Sequence, residues 1–244
     1  MKIFPLSEGA FTVDASKEFI PFNTGSSVLQ QRPAGSLLVE IQPFAVITAR
    51  DIIIFDTGLG YSDKQGVLQI HQHLFDHGIN PSAVTKVLIS HLHKDHAGGI
   101  VNKGVQPNIL SFPNAAYYIN RNEWEKAFLP GPSYIPGDFM LLKDKKNLLL
   151  TDGDTIIDDY ISIKVTGGHS PFHQAFWIKE NTETIFFGGD VAPQLQQMKN
   201  RFTAKYDFDG KKSMELRTNW WKQGHEEKWT FLFYHDLKTP VLTL

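Results

Sequence analysis

The feature that most constrains the fold is a set of apolar runs that each stop at a histidine or an aspartate. The runs are DIIIFDTG (51–58), KVLIS (86–90) before His91, ISIKVTGGH (161–169), TIFFGGD (184–190) and WTFLFYHD (229–236). Short continuous apolar runs are typical of strands buried on both faces, and chemistry in layered α/β proteins lies where such strands end. The sequence therefore predicts a layered α/β fold whose functional residues follow its strands.

Further strands and helices are predicted between these runs. The strands are SLLVEIQ (36–42), FAVITA (44–49), AAYYIN (115–120) and HQAFWIK (173–179), and the helices lie between 67 and 77, over 122–128 and over 210–225. The buried face of the last helix is expected to contain Met214, Leu216, Trp220 and Trp221. LPGPSYIPGDF, before residue 140, indicates an irregular loop because it is rich in proline and glycine.

Composition and charge narrow the class of protein. With 244 residues, 41% of them hydrophobic, and no repeat or flexible linker, the chain is expected to form a single domain over 1–244. A net charge of −2 provides no field that favours nucleic acid or membrane. No apolar window is long enough to span a bilayer, and the amino terminus lacks the pattern of a signal peptide. We therefore expect a soluble, cytoplasmic protein that binds neither nucleic acid nor membrane.

The segment SHLHKDHAGG (90–99) is the strongest candidate for a metal site. Because the chain has no cysteine, any metal must be held by nitrogen and oxygen atoms. A loop that leaves a strand and enters a helix near Asp95 can arrange His91, His93 and His96 around a small volume. Imidazole and carboxylate suit zinc, iron or manganese, and the two following glycines let backbone pass close by. The alternative is a polar loop with surface histidines, which is how we interpret His71, His73, His77, His173 and His225.

This segment resembles the signature loop of the metallo-β-lactamase superfamily, and the other motifs of that family follow in order. Asp56 in DTG resembles the first motif, His169 in TGGHSPFHQ the third, Asp190 in FFGGD the fourth and His235 in LFYHD the fifth. The resemblance covers roughly residues 36 to 236. It implies an αβ/βα four-layer sandwich, in which two mixed β-sheets are flanked by helices.

Carried over position by position, the resemblance implies two divalent metal ions, with zinc expected and iron or manganese accepting the same ligands. The implied ligands are His91, His93 and His169 for the first ion, Asp95, His96 and His235 for the second, and Asp190 as a bridge. Asp56 would orient the loop by hydrogen bonding, or it would serve only as a turn residue. The metal-ligand set is thus drawn from both halves of the chain.

The same resemblance implies a hydrolase in which a metal-bridging hydroxide attacks a lactone or related carboxylic ester and Asp95 protonates the leaving alkoxide. The absence of cysteine argues against the lactamase branch, in which a thiolate binds the second metal. The chain instead resembles the N-acyl-homoserine lactonase and methyl parathion hydrolase-like group in two respects. It contains GGHSPFHQ followed by GGD, and its last third contains KYDFDGKK, Arg217 and FYHD in that order. Two positions depart from the lactonases: Pro193 replaces a tyrosine and Phe172 a glycine. Acyl-homoserine lactone itself is therefore left open as a substrate.

Three alternatives remain open at this point. They are a phosphoesterase acting on phosphotriesters or phosphodiesters, a glyoxalase II-like thioesterase, and a non-catalytic metal-binding protein. The middle of the chain is aromatic, and the resemblance implies that this region contributes a substrate wall, although its members suit core packing equally well. These aromatic residues are Tyr117, Tyr118, Trp124, Phe128, Tyr134 and Phe139. A wall of this kind would favour a small-molecule substrate that is partly apolar.

Overall fold

A computed structural model describes residues 1–244 and contains two large β-sheets. In spatial order, the first sheet consists of β1 (Lys2–Pro5), β5 (Phe44–Ile47), β6 (Ile52–Phe55), β7 (Lys86–Leu88), β10 (Ala116–Asn120) and β11 (Leu148–Thr151). The second consists of β12 (Thr155–Ile157), β13 (Ile161–Val165), β14 (Gln174–Glu180), β15 (Glu183–Phe187), β16 (Thr230–Leu232) and β17 (Val241–Thr243). Both sheets contain parallel and antiparallel pairs, as predicted.

Smaller elements complete the fold. One small sheet has the order β3 (Ile20–Pro21), β2 (Gly9–Val13) and β4 (Leu37–Ile41), and a second pairs β8 (Val101–Asn102) with β9 (Ile109–Leu110). The helices are α1 (Gln69–Asp76), α2 (Lys94–Ala97), α3 (Arg121–Lys126), α4 (Leu195–Lys199) and α5 (Gly210–Glu227). None of them combines the length and apolar character needed to cross a bilayer.

Alternation along the central strands explains both the apolar runs and the layering. Ile53 and Phe55 of β6 belong to the core between the sheets, whereas Ile54 belongs to the core on the other face. In β15, Phe187 likewise faces the space between the sheets and Phe186 faces away from it. Because successive side chains of a strand point to opposite faces, strands covered on both sides are apolar throughout.

Helices cover the two outer faces of the sheets. Leu74 of α1 and Trp124 of α3 pack in the core on the outer face of the first sheet. Trp220 of α5 packs against Trp177 and Phe186 on the outer face of the second, with its ring centroid 5.9 Å and 4.9 Å from theirs. The four layers are therefore helices, sheet, sheet and helices, which confirms the predicted sandwich.

The predicted buried face of α5 is only partly correct. Trp220 is buried, whereas Met214, Leu216 and Trp221 are only half-buried. The buried positions are Ser213, Arg217, Trp220 and Gly224. The Arg217 guanidinium donates to the backbone carbonyl oxygens of Val191 and Phe202. The helix therefore turns a polar side chain inward because the neighbouring loops need hydrogen-bond donors.

A buried polar cluster links the two sheets. The Lys86 ammonium, at the start of β7, lies 2.6 Å from Oδ1 of Asp51 and 3.0 Å from Oδ2 of Asp158, and the hydroxyl of Tyr160 donates to Asp51. Asp51 directly precedes β6 of the first sheet, whereas Asp158 and Tyr160 lie between β12 and β13 of the second. Although burial opposes it, hydrogen bonds from Lys86, Thr85 and Tyr160 lower the pKa of Asp51.

Lys86→Met is expected to lower the free energy of unfolding by about 3 kcal/mol, because it leaves the buried Asp51 carboxylate without its cation. The pKa of Asp51 is lower in the folded chain than in the unfolded chain, so the ionised carboxylate stabilises the folded chain at pH values above the unfolded-state pKa. This contribution is lost as the pH falls through the folded-state pKa of Asp51. The difference in the free energy of unfolding between the variant and the wild type should therefore become smaller in acid.

Urea denaturation at several pH values measures this difference. The matched control is Lys222→Met, which removes a lysine from an exposed ion pair. Equal stability of the two variants would contradict this role of Lys86.

Candidate metal centre

Seven side chains from both halves of the chain converge at one end of the sandwich. They are His91, His93, Asp95, His96, His169, Asp190 and His235. The loops that carry them follow β7, β13, β15 and β16. His91 and His96 have no exposed surface, and all the others except His93 are also buried. The structure therefore brings together every residue of the predicted ligand set.

The two carboxylate oxygens of Asp190 face different histidines. Oδ1 lies 3.1 Å from Nε2 of His96 and 3.0 Å from Nε2 of His235. Oδ2 lies 3.3 Å from Nε2 of His169, and that same nitrogen is 3.2 Å from Nδ1 of His93. Asp190 consequently stands between two groups of nitrogen atoms, one facing each oxygen.

Three sets of potential ligand atoms each lie within 4.8 Å of one another. They are His91, His93 and His169; Asp95, His96 and His235; and His91, His96 and Asp190. The Nε2 atoms of His91 and His96 and Oδ1 of Asp190 are buried, and the short distances between them do not have the geometry of hydrogen bonds. Since buried polar atoms are normally paired, these unpaired atoms together with the nitrogen and oxygen donor set fit divalent metal ions.

Hydrogen bonds behind the histidine rings fix which nitrogen faces the centre. The Nδ1 atoms contact Ser90 Oγ at 3.0 Å (His91), Asp56 Oδ2 at 2.8 Å (His96), Asp207 Oδ1 at 3.1 Å (His169) and the Glu40 carbonyl oxygen at 2.7 Å (His235). Each contact favours a proton on Nδ1, because each partner atom can accept it. The Nε2 lone pairs are thereby left to face the centre, the arrangement typical of metal-binding histidines.

Asp56 is the organising residue behind the motif loop. Its carboxylate is fully buried and accepts hydrogen bonds at 2.7 Å from both the backbone N–H and the hydroxyl of Ser90, in addition to the bond from His96. Its backbone lies in the left-handed region, at φ 53°. The predicted role of Asp56 in orienting the loop is confirmed.

The charges of the cluster favour the binding of cations. Burial lowers the pKa of His91 and His93 well below the usual value, so both rings are neutral at neutral pH. Burial acts in the same sense on His96 and His235, but the carboxylate of Asp190, helped by Asp95, raises their pKa. The two carboxylates thus attract positive charge to this end of the sandwich.

The paired glycines of the motif allow close backbone approach, as predicted. A Cβ atom on Gly98 would lie 2.4 Å from the carbonyl oxygen of Leu59, and one on Gly99 would lie 2.1 Å from that of Thr57. Both distances are far shorter than any real contact. The loop after Asp56 can therefore pack against the motif helix only because side chains are absent there.

Two residues that support the centre were missed by sequence reasoning. His173, interpreted above as an ordinary histidine, is fully buried, and its Nε2 accepts the backbone N–H of Asp190 at 3.1 Å. Glu123 accepts from the backbone N–H of Leu92 and the hydroxyl of Ser170, both at 3.1 Å. The position of His173 within TGGHSPFHQ was an available signal for the first, but Glu123 looks like any surface residue of a helical segment.

A cleft opens onto the centre, and the predicted aromatic wall is not part of it. None of the six mid-chain aromatic residues lines the cleft, and Tyr117, Trp124 and Phe139 instead pack in the core of the first sheet. Phe172 does not line it either, whereas Pro193 does. The other apolar lining residues come from segment 13–39 and from Phe202, which no local pattern marked as near the site, and Tyr206 of KYDFDGKK joins them.

Comparison with known proteins agrees with this geometry. The profile of the metallo-beta-lactamase superfamily matches residues 41–218. The chain is also similar to N-acyl homoserine lactonase AttM of Azorhizobium caulinodans, with 36% identity over 114 residues, or 42% of this chain and 38% of that protein. Other AttM lactonases are also matched over less than half of their own length.

Solved structures share the fold across nearly the whole chain. A probable metal-dependent hydrolase from Staphylococcus aureus superposes with a TM-score of 0.78 at 21% identity, covering 99% of this chain and 91% of that one. AidC, a dizinc quorum-quenching lactonase, superposes with a TM-score of 0.73 at 19% identity, covering 98% and 88%. From the profile match and the shared fold, the chain belongs to the metallo-β-lactamase superfamily.

Proposed function

We propose that this protein is a dinuclear metal-dependent hydrolase that acts on lactones or related carboxylic esters. The observation that carries the proposal is the placement of Asp190, whose two oxygens face separate groups of histidine nitrogens. In this proposal His91, His93 and His169 hold one ion, Asp95, His96 and His235 hold the other, and Asp190 contacts both. Zinc is our first choice of metal, and the nitrogen and oxygen donors also suit iron or manganese.

The charge of such a centre suits ester hydrolysis. When bound, two divalent ions act as Lewis acids and lower the pKa of a coordinated water from about 16 to about 7. Their four positive charges exceed the two negative charges of Asp95 and Asp190, so the site favours an anion that develops on the substrate. Neither a serine nor a cysteine nucleophile is required.

Asp95 is placed to transfer a proton at the same site. Its Oδ2 lies 3.5 Å and 3.6 Å from the Nε2 atoms of His96 and His235, and its side chain lines the cleft. The hydroxyl of Tyr234 donates to its backbone carbonyl oxygen at 2.6 Å, which fixes the start of the motif helix. We propose that the Asp95 carboxylate takes up a proton released by the attacking water and passes it to the leaving alkoxide.

Tyr206 is the second residue of the chain that we expect to contact substrate. It lines the cleft, and its ring centroid is 5.9 Å from that of His169. Its hydroxyl oxygen accepts from Nε2 of Gln197 at 3.5 Å, so its own proton is available to the cleft. Burial raises the pKa of Tyr206 to about 12, so the phenol keeps that proton at neutral pH.

Tyr206→Phe is expected to lower kcat/KM for an ester by about tenfold, the effect of losing one hydrogen bond to a substrate oxygen. Metal content should not change, because the hydroxyl contacts none of the proposed ligands. Steady-state kinetics together with metal analysis measures both quantities. An unchanged kcat/KM would remove Tyr206 from the mechanism.

A side-by-side substrate panel tests the proposed reaction. Lactones, carboxylic esters, phosphotriesters, phosphodiesters and thioesters should be assayed with the same metal-loaded protein. We expect turnover of lactones or carboxylic esters at kcat/KM values at least about tenfold above the other classes. The sequence similarity to N-acyl homoserine lactonase AttM and the apolar lining of the cleft support this choice. Activity confined to phosphodiesters or thioesters would overturn it.

A further inference from the structure

We propose that the substrate carries an anionic group remote from the bond that is broken, and that Lys17 and Lys94 bind that group. The inference rests on the proposed function and specifies its substrate class. It follows from the charges of the cleft, from the partners of the two lysines and from the backbone of Lys17.

The charged side chains that line the cleft divide into two sets. The acidic residues are Asp95 and Asp190, and both belong to the proposed ligand set. Apart from proposed ligands, the only charged residues of the lining are Lys17 and Lys94. With metal ions neutralising the carboxylates, the rest of the wall carries two positive charges and no negative one. A substrate with an anionic end would complement this wall.

Neither lysine has an acidic partner. Both are half-buried, yet no carboxylate oxygen lies within 4.0 Å of either ammonium group, whereas the buried Lys86 is held by two aspartates. Asp138 lies within electrostatic range of Lys94, but its carboxylate is engaged by Lys103. The Lys94 ammonium instead lies 5.6 Å from the ring centroid of Phe19, which also lines the cleft. Two lysines are therefore available to a ligand.

The backbone at Lys17 gives independent support. Lys17 closes a turn in which its N–H donates to the carbonyl oxygen of Asp14 at 3.1 Å, and its φ is 60°. Glycine or asparagine adopts this left-handed conformation at lower cost, whereas for lysine the cost is of the order of 1 kcal/mol. The turn itself therefore gives no reason for lysine here, and the reason lies in its side chain at the cleft.

The apolar residues of the same wall indicate the chemistry of the uncharged part of the substrate. Val13, Phe19, Leu37 and Val39 line the cleft together with Lys17. An acyl or alkyl chain with an anionic end would contact these side chains and place its charge on the lysines. Carboxylate and phosphate share the required chemistry, and the experiment distinguishes between them.

The test uses γ-lactones with side chains of equal length that end in a carboxylate, a phosphate or an uncharged carboxamide. We compare the metal-loaded wild type with Lys17→Met, Lys94→Met, the double Met variant and Lys17→Arg. Lys222→Met, at an exposed position, is the control. The measured quantity is the ratio of kcat/KM for each anionic lactone to that for the carboxamide, at low and high ionic strength.

We expect the ratio to be at least about ten for wild type at low salt, and to fall as salt screens the charges. Each Met variant should lower the ratio several-fold, mainly through KM, and Lys17→Arg and Lys222→Met should keep it. A wild-type ratio near one, or a ratio that survives in the double variant, would overturn the inference while leaving lactone hydrolysis intact. Failure to hydrolyse any of the lactones, or any open-chain carboxylic ester with the same three side chains, would instead overturn both this inference and the proposed function.

Discussion

Asp190→Asn is expected to lower kcat/KM for ester hydrolysis by about 1,000-fold or more and to reduce the bound metal from two ions per chain to one or fewer. The asparagine keeps the shape of the side chain but removes the negative charge that faces three histidines. A metal centre supplies several kcal/mol of transition-state stabilisation, so its loss corresponds to an effect of this size.

The matched control is Asp76→Asn, the same chemical change at an exposed position of α1. It should keep two metals and full activity. Metal analysis after dialysis and steady-state kinetics on both proteins separate a local effect from a general one. An Asp190→Asn protein that still bound two ions at wild-type affinity would remove Asp190 from the proposed ligand set.

Asp56→Asn has the second-largest expected effect, although Asp56 is outside the proposed ligand set. The amide would present N–H groups where the carboxylate now accepts from Ser90 Oγ and His96 Nδ1. His96 would then carry its proton on Nε2, toward Asp190, and lose the lone pair that faces the centre. We expect metal affinity and activity to fall by about 10- to 100-fold, the usual effect of disturbing a residue that orients a ligand.

The same change should lower the free energy of unfolding by about 2 kcal/mol, because buried donors lose their acceptor. Metal titration of the apoprotein measures the affinity, and urea denaturation measures the stability. Asp207→Asn provides a comparison at the other histidine group, since Asp207 contacts Nδ1 of His169. Wild-type metal affinity in both variants would show that tautomer control is unimportant here.

The superfamily, the sandwich and the convergence of the candidate residues could be predicted because their signals are local. Each strand is apolar over a few consecutive positions, and the candidate residues lie in the segments that follow the strands, as His91 follows β7. The hydrogen bonds of Asp56 are likewise made to neighbours of the motif loop. By contrast, the single domain over 1–244 and the cytoplasmic location stay predictions.

The cleft wall and the polar face of α5 could not be predicted, because both depend on contacts between distant segments. Phe19 and Leu37 reach the cleft from the small sheet of β3, β2 and β4, and Tyr206 reaches it from a loop before α5. The mid-chain aromatic residues looked equally suitable, but Tyr117, Trp124 and Phe139 pack in the core of the first sheet instead. Arg217 is buried because it donates to carbonyl groups of loops that are not adjacent to it in sequence.

Anomalous X-ray diffraction from crystals of the zinc-loaded protein tests the central claim most directly. We predict two strong peaks per chain, one among His91, His93 and His169 and the other among Asp95, His96 and His235, with the carboxylate of Asp190 in contact with both. A single peak, or zinc bound without Asp190 or His235, would contradict the dinuclear assignment.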